Sequence, residues 1–345
     1  MASHQLSSGD LTADRRAHYA RLYAEAGDFD AAVDLQAQAL ELAPGWAAGW
    51  YGLGGYREKS GDMSGAADAW REVLTLSPED IFGAGLKLSL TGQAEAPSIP
   101  PSEYVEALFD SYSGRFDTAL VTDLGYRVPQ RLSALIDDVA GGEAQFAKVV
   151  DLGCGTGLFG EQVRRRSSWL EGYDLSQGML AKAGEKGIYD HLDQANIGFG
   201  LGSGSSSHGI KADLVAAADV LLYFGDLDGV IAVATELMQP GALLAFSCEA
   251  GPDEADWLLQ SSLRYCHSAA YLRRLADQHG LSIERLEREQ IRSDGGKPIE
   301  GYLVIARKQA DAGLSLAALI PSLADKDAVQ EMAEEIADSV SPVLM

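Results

Sequence analysis

The sequence predicts an α/β protein in which a largely parallel sheet domain follows a small all-helical domain. Three observations predict it. A 34-residue repeat covers residues 13–80, the pattern then changes to helices alternating with apolar strands, and one strand runs through a glycine-rich turn into a helix.

The chain has 345 residues, which suggests about two domains, and its 46% hydrophobic and 23% charged composition is that of a folded protein. Acidic residues number 51 against 27 basic, a formal charge of −24. Proteins that track phosphate backbones need clustered Lys and Arg, so a nucleic-acid partner is excluded and an anionic membrane surface is disfavoured. The start MASHQLSSGD lacks a basic-then-apolar leader and no run is apolar enough to span a bilayer, so a soluble cytoplasmic protein is expected. Cys154, Cys248 and Cys266 have neither metal-ligand nor disulfide-framework spacing, so no metal is expected.

Residues 13–46 overlie 47–80, with Ala20 on Gly54, Gly27 on Gly61, Asp28 on Asp62, Ala32 on Ala66, Leu40 on Leu74 and Pro44 on Pro78. Each unit reads as a helix, a Gly-Asp turn, a second helix and a terminating proline. The unit resembles the tetratricopeptide (TPR) repeat, best in the second copy through Trp50, Leu53, Gly54, Ala66, Trp70 and Pro78. The first copy departs from it, with Arg16 at the Trp position and Gln36 at an aromatic one. Two such units leave an open end, for which 81–90 is the expected capping helix, completing a domain over residues 1–95. The resemblance implies docking of a protein partner; a helical prop or a homodimer contact fits the same residues.

Residues 96–101 read as a stiff Pro-rich linker and 102–308 as the sheet domain. Helices are expected at 102–111, 117–124, 127–139, 157–165, 177–185, 227–238 and 269–279. Strands are expected at 147–152, 169–174, weakly at 191–196, then 213–218, 242–248, 283–292 and 299–307. The last two flank the turn Ser293–Pro298 and form a hairpin, so the final strand runs antiparallel. Residues 198–209, nearly all Gly and Ser, read as a loop, and 309–345 as an acidic tail with an amphipathic helix through Val329, Met332, Ile336 and Val340.

The chemical signal is VVDLGCGTGLFG, residues 149–160. Gly153, Gly155 and Gly157 let the backbone approach a ligand, and the start of the helix that follows presents unpaired N–H groups. The loop also satisfies the GxGxxG dinucleotide pattern from Gly155 to Gly160. Asp151, however, precedes the first glycine, where a carboxylate suits an ammonium and repels a pyrophosphate. Asp174, at the tip of the next strand, is placed for ribose hydroxyls with either cofactor.

These features and the final strand reversal resemble the class I S-adenosylmethionine-dependent methyltransferases, whose seven-stranded Rossmann-like sheet the segment 102–308 would form. The repeats, EYVEALFDSYSGRFD and RYCHSAAYLRRL together look like a smaller bacterial group of TPR-containing predicted methyltransferases. The resemblance implies S-adenosylmethionine as cofactor, with Asp151, Gly153, Cys154, Gly155, Gly157 and Leu158 around its methionine portion. It places Asp174 on the ribose, Leu175 and Met179 on the adenine face, and Asn196 where an acidic residue usually receives the adenine amino group. Ala218 and Asp219 fall at the tip of the fourth strand, where methyl donor meets acceptor.

Two groups are candidate bases: Asp219, for which a cofactor-holding or helix-capping role is the favoured reading, and His267, which equally suits a structural bond at a helix start. Cys154 lacks a paired base and is read as backbone, not nucleophile. Tyr112 is a candidate cofactor lid, and Tyr126, Tyr223 and Glu249 are candidate acceptor contacts. The expected function is methyl transfer to an O, N or S atom of a small molecule. The alternatives are a protein acceptor delivered by the repeats, or a cofactor-binding adaptor without turnover; a NAD-dependent oxidoreductase ranks last.

Overall fold

The computed structural model describes residues 6–112, 125–201 and 210–310. The helix expected at 117–124, most of the Gly/Ser loop and the tail from 311 lie outside the described residues, as does the side chain of Tyr112.

The N-terminal region is helical throughout: α1 (Leu11–Glu25), α2 (Phe29–Leu42), α3 (Ala47–Ser60), α4 (Met63–Leu76) and α5 (Ala84–Leu90). The two Gly-Asp turns are chemically equivalent. The carboxylate of Asp28 accepts from Ala31 N at the start of α2, and that of Asp62 accepts from Gly65 N at the start of α4. Close helix approach depends on small residues. Ala20, Ala32 and Ala66 are fully buried, and a Cβ on Gly54 would lie 2.3 Å from the Trp70 indole nitrogen. The capping helix is shorter than expected because Asp80, at φ +48°, turns the chain and caps α5 through Ala84 N and Gly85 N. One face of α5 covers Trp70 and Val73. Its Leu86 and Leu90 pack on Leu263, Tyr265 and Trp257 of the sheet domain. Repeats and sheet thus belong to one compact unit, Met1–Lys308.

After α6 (Ser102–Tyr112) and α7 (Val128–Ala140) come β1 (Phe146–Leu152), α8 (Leu158–Val163), β2 (Ser167–Asp174), α9 (Gln177–Lys186), β3 (His191–Gln194) and β4 (Ala212–Ala217). Then follow α10 (Asp228–Leu237), β5 (Met238–Ala250), β6 (Trp257–Leu259), β7 (Tyr265–His267), α11 (Ala269–Gln278), β8 (Leu281–Asp294) and β9 (Lys297–Lys308). The main sheet runs β3-β2-β1-β4-β5-β9-β8, with the first five strands parallel and β9 antiparallel to both neighbours. This is the Rossmann-like strand order with the reversed last strand that the sequence predicts. The short hairpin β6–β7 is an addition to the seven strands expected. It continues β5 at its carboxyl end, where Glu249 and Ala250 pair with Cys266 and His267.

The strands read as unbroken apolar runs because both faces are covered. Val149, Leu214 and Leu243 pack under α7 and α8, while their neighbours Val150, Val215 and Leu244 pack under α10 and α11. Strand order reverses between β1 and β4, which opens a crevice at the carboxyl ends of the strands.

Candidate functional site

A cavity of about 390 Å³ fills that crevice. Its floor is the glycine loop. Gly153 has φ +66° and a Cβ there would lie 2.3 Å from the Val220 side chain, so only glycine lets the loop fold under the β4 tip. Gly155 and Gly157 also take positive φ, at +54° and +91°. Gly157 caps α8 outside the cavity lining, whereas Leu158 lines it. Cys154 lines it too, but its N–H is spent on Tyr173 O at 2.9 Å, and burial, with Asp151 and Asp174 nearby, pushes its thiol well up. Burial thus disfavours the thiolate, the reactive form of the group.

Asp151 is buried at the end of β1. Its Oδ2 accepts a 2.6 Å bond from the Tyr189 hydroxyl, while Oδ1 has no hydrogen-bond partner among the described residues. Burial, reinforced by the neighbouring Asp174, pushes the carboxyl up to about 7, against the opposing effect of the Tyr189 bond. A buried carboxylate oxygen in this state calls for a cation, and an amino-acid ammonium fits it. Asp174 is held by its own turn, accepting from Gly155 N and Ser176 N at 2.8 Å each. The Leu175 N–H also bonds it, leaving one of the four lone pairs of its oxygens, and the group lines the cavity.

Leu175 and Ala218 line the cavity as expected; Met179 does not, being fully buried behind the wall. Asn196 lines it, but its amide is already engaged, donating to Ser102 Oγ at 2.7 Å and accepting from Gly198 N at 3.0 Å. The hydrogen bond expected from an adenine amino group must therefore use the remaining lone pair of its Oδ1.

The linker departs most from expectation. Ser98 O accepts from Gly225 N and Asp226 N, and Pro97 O accepts from the Tyr265 hydroxyl at 2.6 Å. So pinned, Ile99, Pro100 and Ser102 form part of the cavity wall. Residues 96–101 are a wall as well as a spacer.

Asp219, Tyr126, Tyr223, Arg264, Arg292 and Asp294 also line the cavity. Asp219, at φ +59°, accepts from Arg292 Nη1 with both oxygens, at 2.9 and 3.1 Å. Its carboxylate thus holds an arginine, a role that none of the sequence readings gave it. Glu249 does not line the cavity: it is buried behind it, bonded to Arg292 Nη2 and to Gln260. The expected acceptor contact is therefore a support for Arg292. His267 is corrected in the same way. It is fully buried in β7, its Nε2 meets Gly225 O at 3.0 Å, and burial pushes it down to about 4, so it is neutral and away from the cavity.

Among the described residues no cluster of His, Cys, Asp and Glu could hold a metal, and no helix is long and apolar enough to cross a membrane.

Residues 150–244 match the family model of a methyltransferase domain. The chain is 34% identical over 115 residues to the trans-aconitate 2-methyltransferase of Deinococcus radiodurans, covering 33% of this chain and 42% of that one. It is 28% identical over 140 residues to the malonyl-[acyl-carrier protein] O-methyltransferase of Salmonella typhimurium, covering 40% and 53%. A TPR repeat-containing protein of Pseudomonas aeruginosa is 38% identical over 52 residues, 15% of this chain and 50% of that one. The chain thus spans about half the length of the curated relatives it matches.

Proposed function

We propose that this protein is an S-adenosylmethionine-dependent methyltransferase acting on a small molecule. The observation that carries the reading is the unpartnered Asp151 Oδ1 at the floor of a glycine loop, within the segment that matches a methyltransferase domain. Asp151 would hold the amino-acid ammonium, Asp174 a ribose hydroxyl, and Leu175, Ile197 and Ile99 the adenine faces. When bound, the cofactor supplies an electrophilic methyl group; the protein's task is then to orient the acceptor and keep water out. Phe109, Tyr126 and Tyr223 give the acceptor end an aromatic wall that serves both purposes. A small acceptor is supported by the size of the cavity and by the relative named for trans-aconitate.

Calorimetric titration of the full chain tests the reading. S-adenosylhomocysteine should bind with a 1:1 stoichiometry and NAD should not; the reverse would overturn it. A repeat-docked protein acceptor is the second reading, favoured by the linker that joins the repeats to the cavity wall. It predicts that the full chain methylates a folded protein and that substitutions on the α1 surface, such as Tyr19→Ala, abolish this without affecting cofactor binding.

A further inference from the structure

We infer that the part of the cavity lined by Tyr223, Arg264 and Asp294 is a carboxylate-binding subsite, in which Arg264 anchors an acidic group of the acceptor in the place now held by Asp294. Naming the ligand an acceptor rests on the methyltransferase reading; the subsite does not.

The two arginines that line the cavity are held very differently. Arg292 is 3% exposed and saturated by Asp219 and Glu249, both fixed by further bonds, Asp219 N to Ser247 Oγ and Glu249 to Gln260. It cannot change partner without stranding two carboxylates. Arg264, by contrast, is 27% exposed and paired at 3.0 Å with Asp294, itself 50% exposed at the end of β8 beside the Gly295-Gly296 turn. An ion pair this exposed contributes little, so it exchanges readily. The Tyr223 hydroxyl also bonds Arg264, and the Tyr223 ring meets Phe109 edge-on at 5.1 Å. The guanidinium therefore keeps its position when Asp294 leaves, presenting a planar fork at the end of an aromatic wall.

Charge selects among ligands. A ligand carboxylate in place of Asp294 leaves the local sum unchanged. A cation there would face the Arg264 guanidinium, and a neutral group would leave it only the charge of Glu249, which is already bonded to Arg292. The ligand is thus an acid with an apolar or aromatic body. Pairing with a guanidinium withdraws electron density from a carboxylate, so the anchored group is a handle and the methylated atom lies elsewhere on the acceptor.

The test uses three probes of one shape, phenylacetate, 2-phenylethanol and phenethylamine, titrated into the full chain with and without S-adenosylhomocysteine. Phenylacetate should bind about 10-fold or more tighter than the other two. Arg264→Gln should abolish that preference, Arg264→Lys should weaken it, and Asp294→Asn should tighten phenylacetate several-fold by removing its competitor. Equal or tighter binding of the amine, or an unchanged acid preference in both Arg264 variants, would overturn the subsite. Failure of S-adenosylhomocysteine to bind would instead overturn the methyltransferase reading, and the probe titrations without it still decide the subsite.

Discussion

The Tyr189 hydroxyl donates to Asp151 Oδ2 at 2.6 Å, tying the loop before β3 to the floor of the cavity. The bond favours the ionised carboxylate, whereas burial favours the neutral acid and pushes the group up to about 7. An ammonium ligand needs the ionised form. Cofactor binding should therefore release a proton near neutrality, and affinity should fall about 10-fold between pH 8 and pH 6. Titrating S-adenosylhomocysteine in buffers of different ionisation enthalpy measures both. Tyr189→Phe should raise the carboxyl further and move the midpoint of that pH dependence upward.

Asp151→Asn removes the charge while keeping the shape. Loss of a charge-assisted contact predicts cofactor binding weaker by about 10- to 100-fold. The stability of the free protein should move the other way. The folded-state pKa of Asp151 lies above its unfolded value, so its stabilising effect is complete below pH 3.8 and is lost as pH rises through about 7. The asparagine variant should lack this loss, and so gain on the wild type as pH rises from 5 to 8 in denaturant unfolding.

Arg292 connects Asp219 at the tip of β4 to Glu249 at the end of β5. Arg292→Gln would take the bonded cation from a buried carboxylate, Glu249, and a partly buried one, Asp219, a loss of about 3–5 kcal/mol. The loss should be smaller at pH 4, because burial pushes the Glu249 carboxyl up and eases its protonation. Urea unfolding at the two pH values checks this.

Much of this architecture is legible from the chain because it follows local rules. The 34-residue period, the apolar strands and the glycine turn each reside in a short window, and Asp151 and Asp174 lie at strand tips. The rest depends on contacts between distant segments. Tyr189 is 38 residues from Asp151, and Arg292 is 73 from Asp219. Strand β8, LSIERLEREQIRSD, reads as an exposed edge, yet a register shift between Gln290 and Arg292 re-aims its end so that Arg292 is buried. Strands β6 and β7 have three residues each, too few to show a period. The linker's role as a wall depends on backbone carbonyls, Pro97 O and Ser98 O, which carry no side-chain signature.

Leu86 is fully buried between α5 and the β6–β7 hairpin, where it packs with Leu263 and Tyr265. Leu86→Ala should cost about 2–5 kcal/mol. The Tyr265 hydroxyl holds Pro97 O, so loosening this contact also loosens the wall formed by Ile99 and Pro100. Cofactor affinity should fall together with stability, whereas Leu40→Ala, in the core between the repeats, should lower stability alone. Paired thermal melts and S-adenosylhomocysteine titrations of the two variants separate these outcomes. Removal of residues 1–96 uncovers the same apolar surface, so it tests docking only alongside these point variants.

His267 gives the sharpest contrast between a position that looks catalytic and one that is structural. Its Nε2 faces Gly225 O, the same turn whose N–H groups hold Ser98 O, and its ring stacks on Tyr271 at 5.9 Å. Burial pushes it down to about 4 from 6.5, so its contribution to stability is complete above pH 6.5 and is lost as pH falls through about 4. That shift corresponds to about 3 kcal/mol. His267→Gln should therefore flatten the acid side of the stability curve. At pH 7.5 it should leave cofactor affinity and the pH dependence of turnover within about two-fold of wild type, because a neutral ring outside the cavity transfers no proton there. A base-dependent loss of turnover confined to this variant, with its melting temperature intact, would return His267 to the reaction.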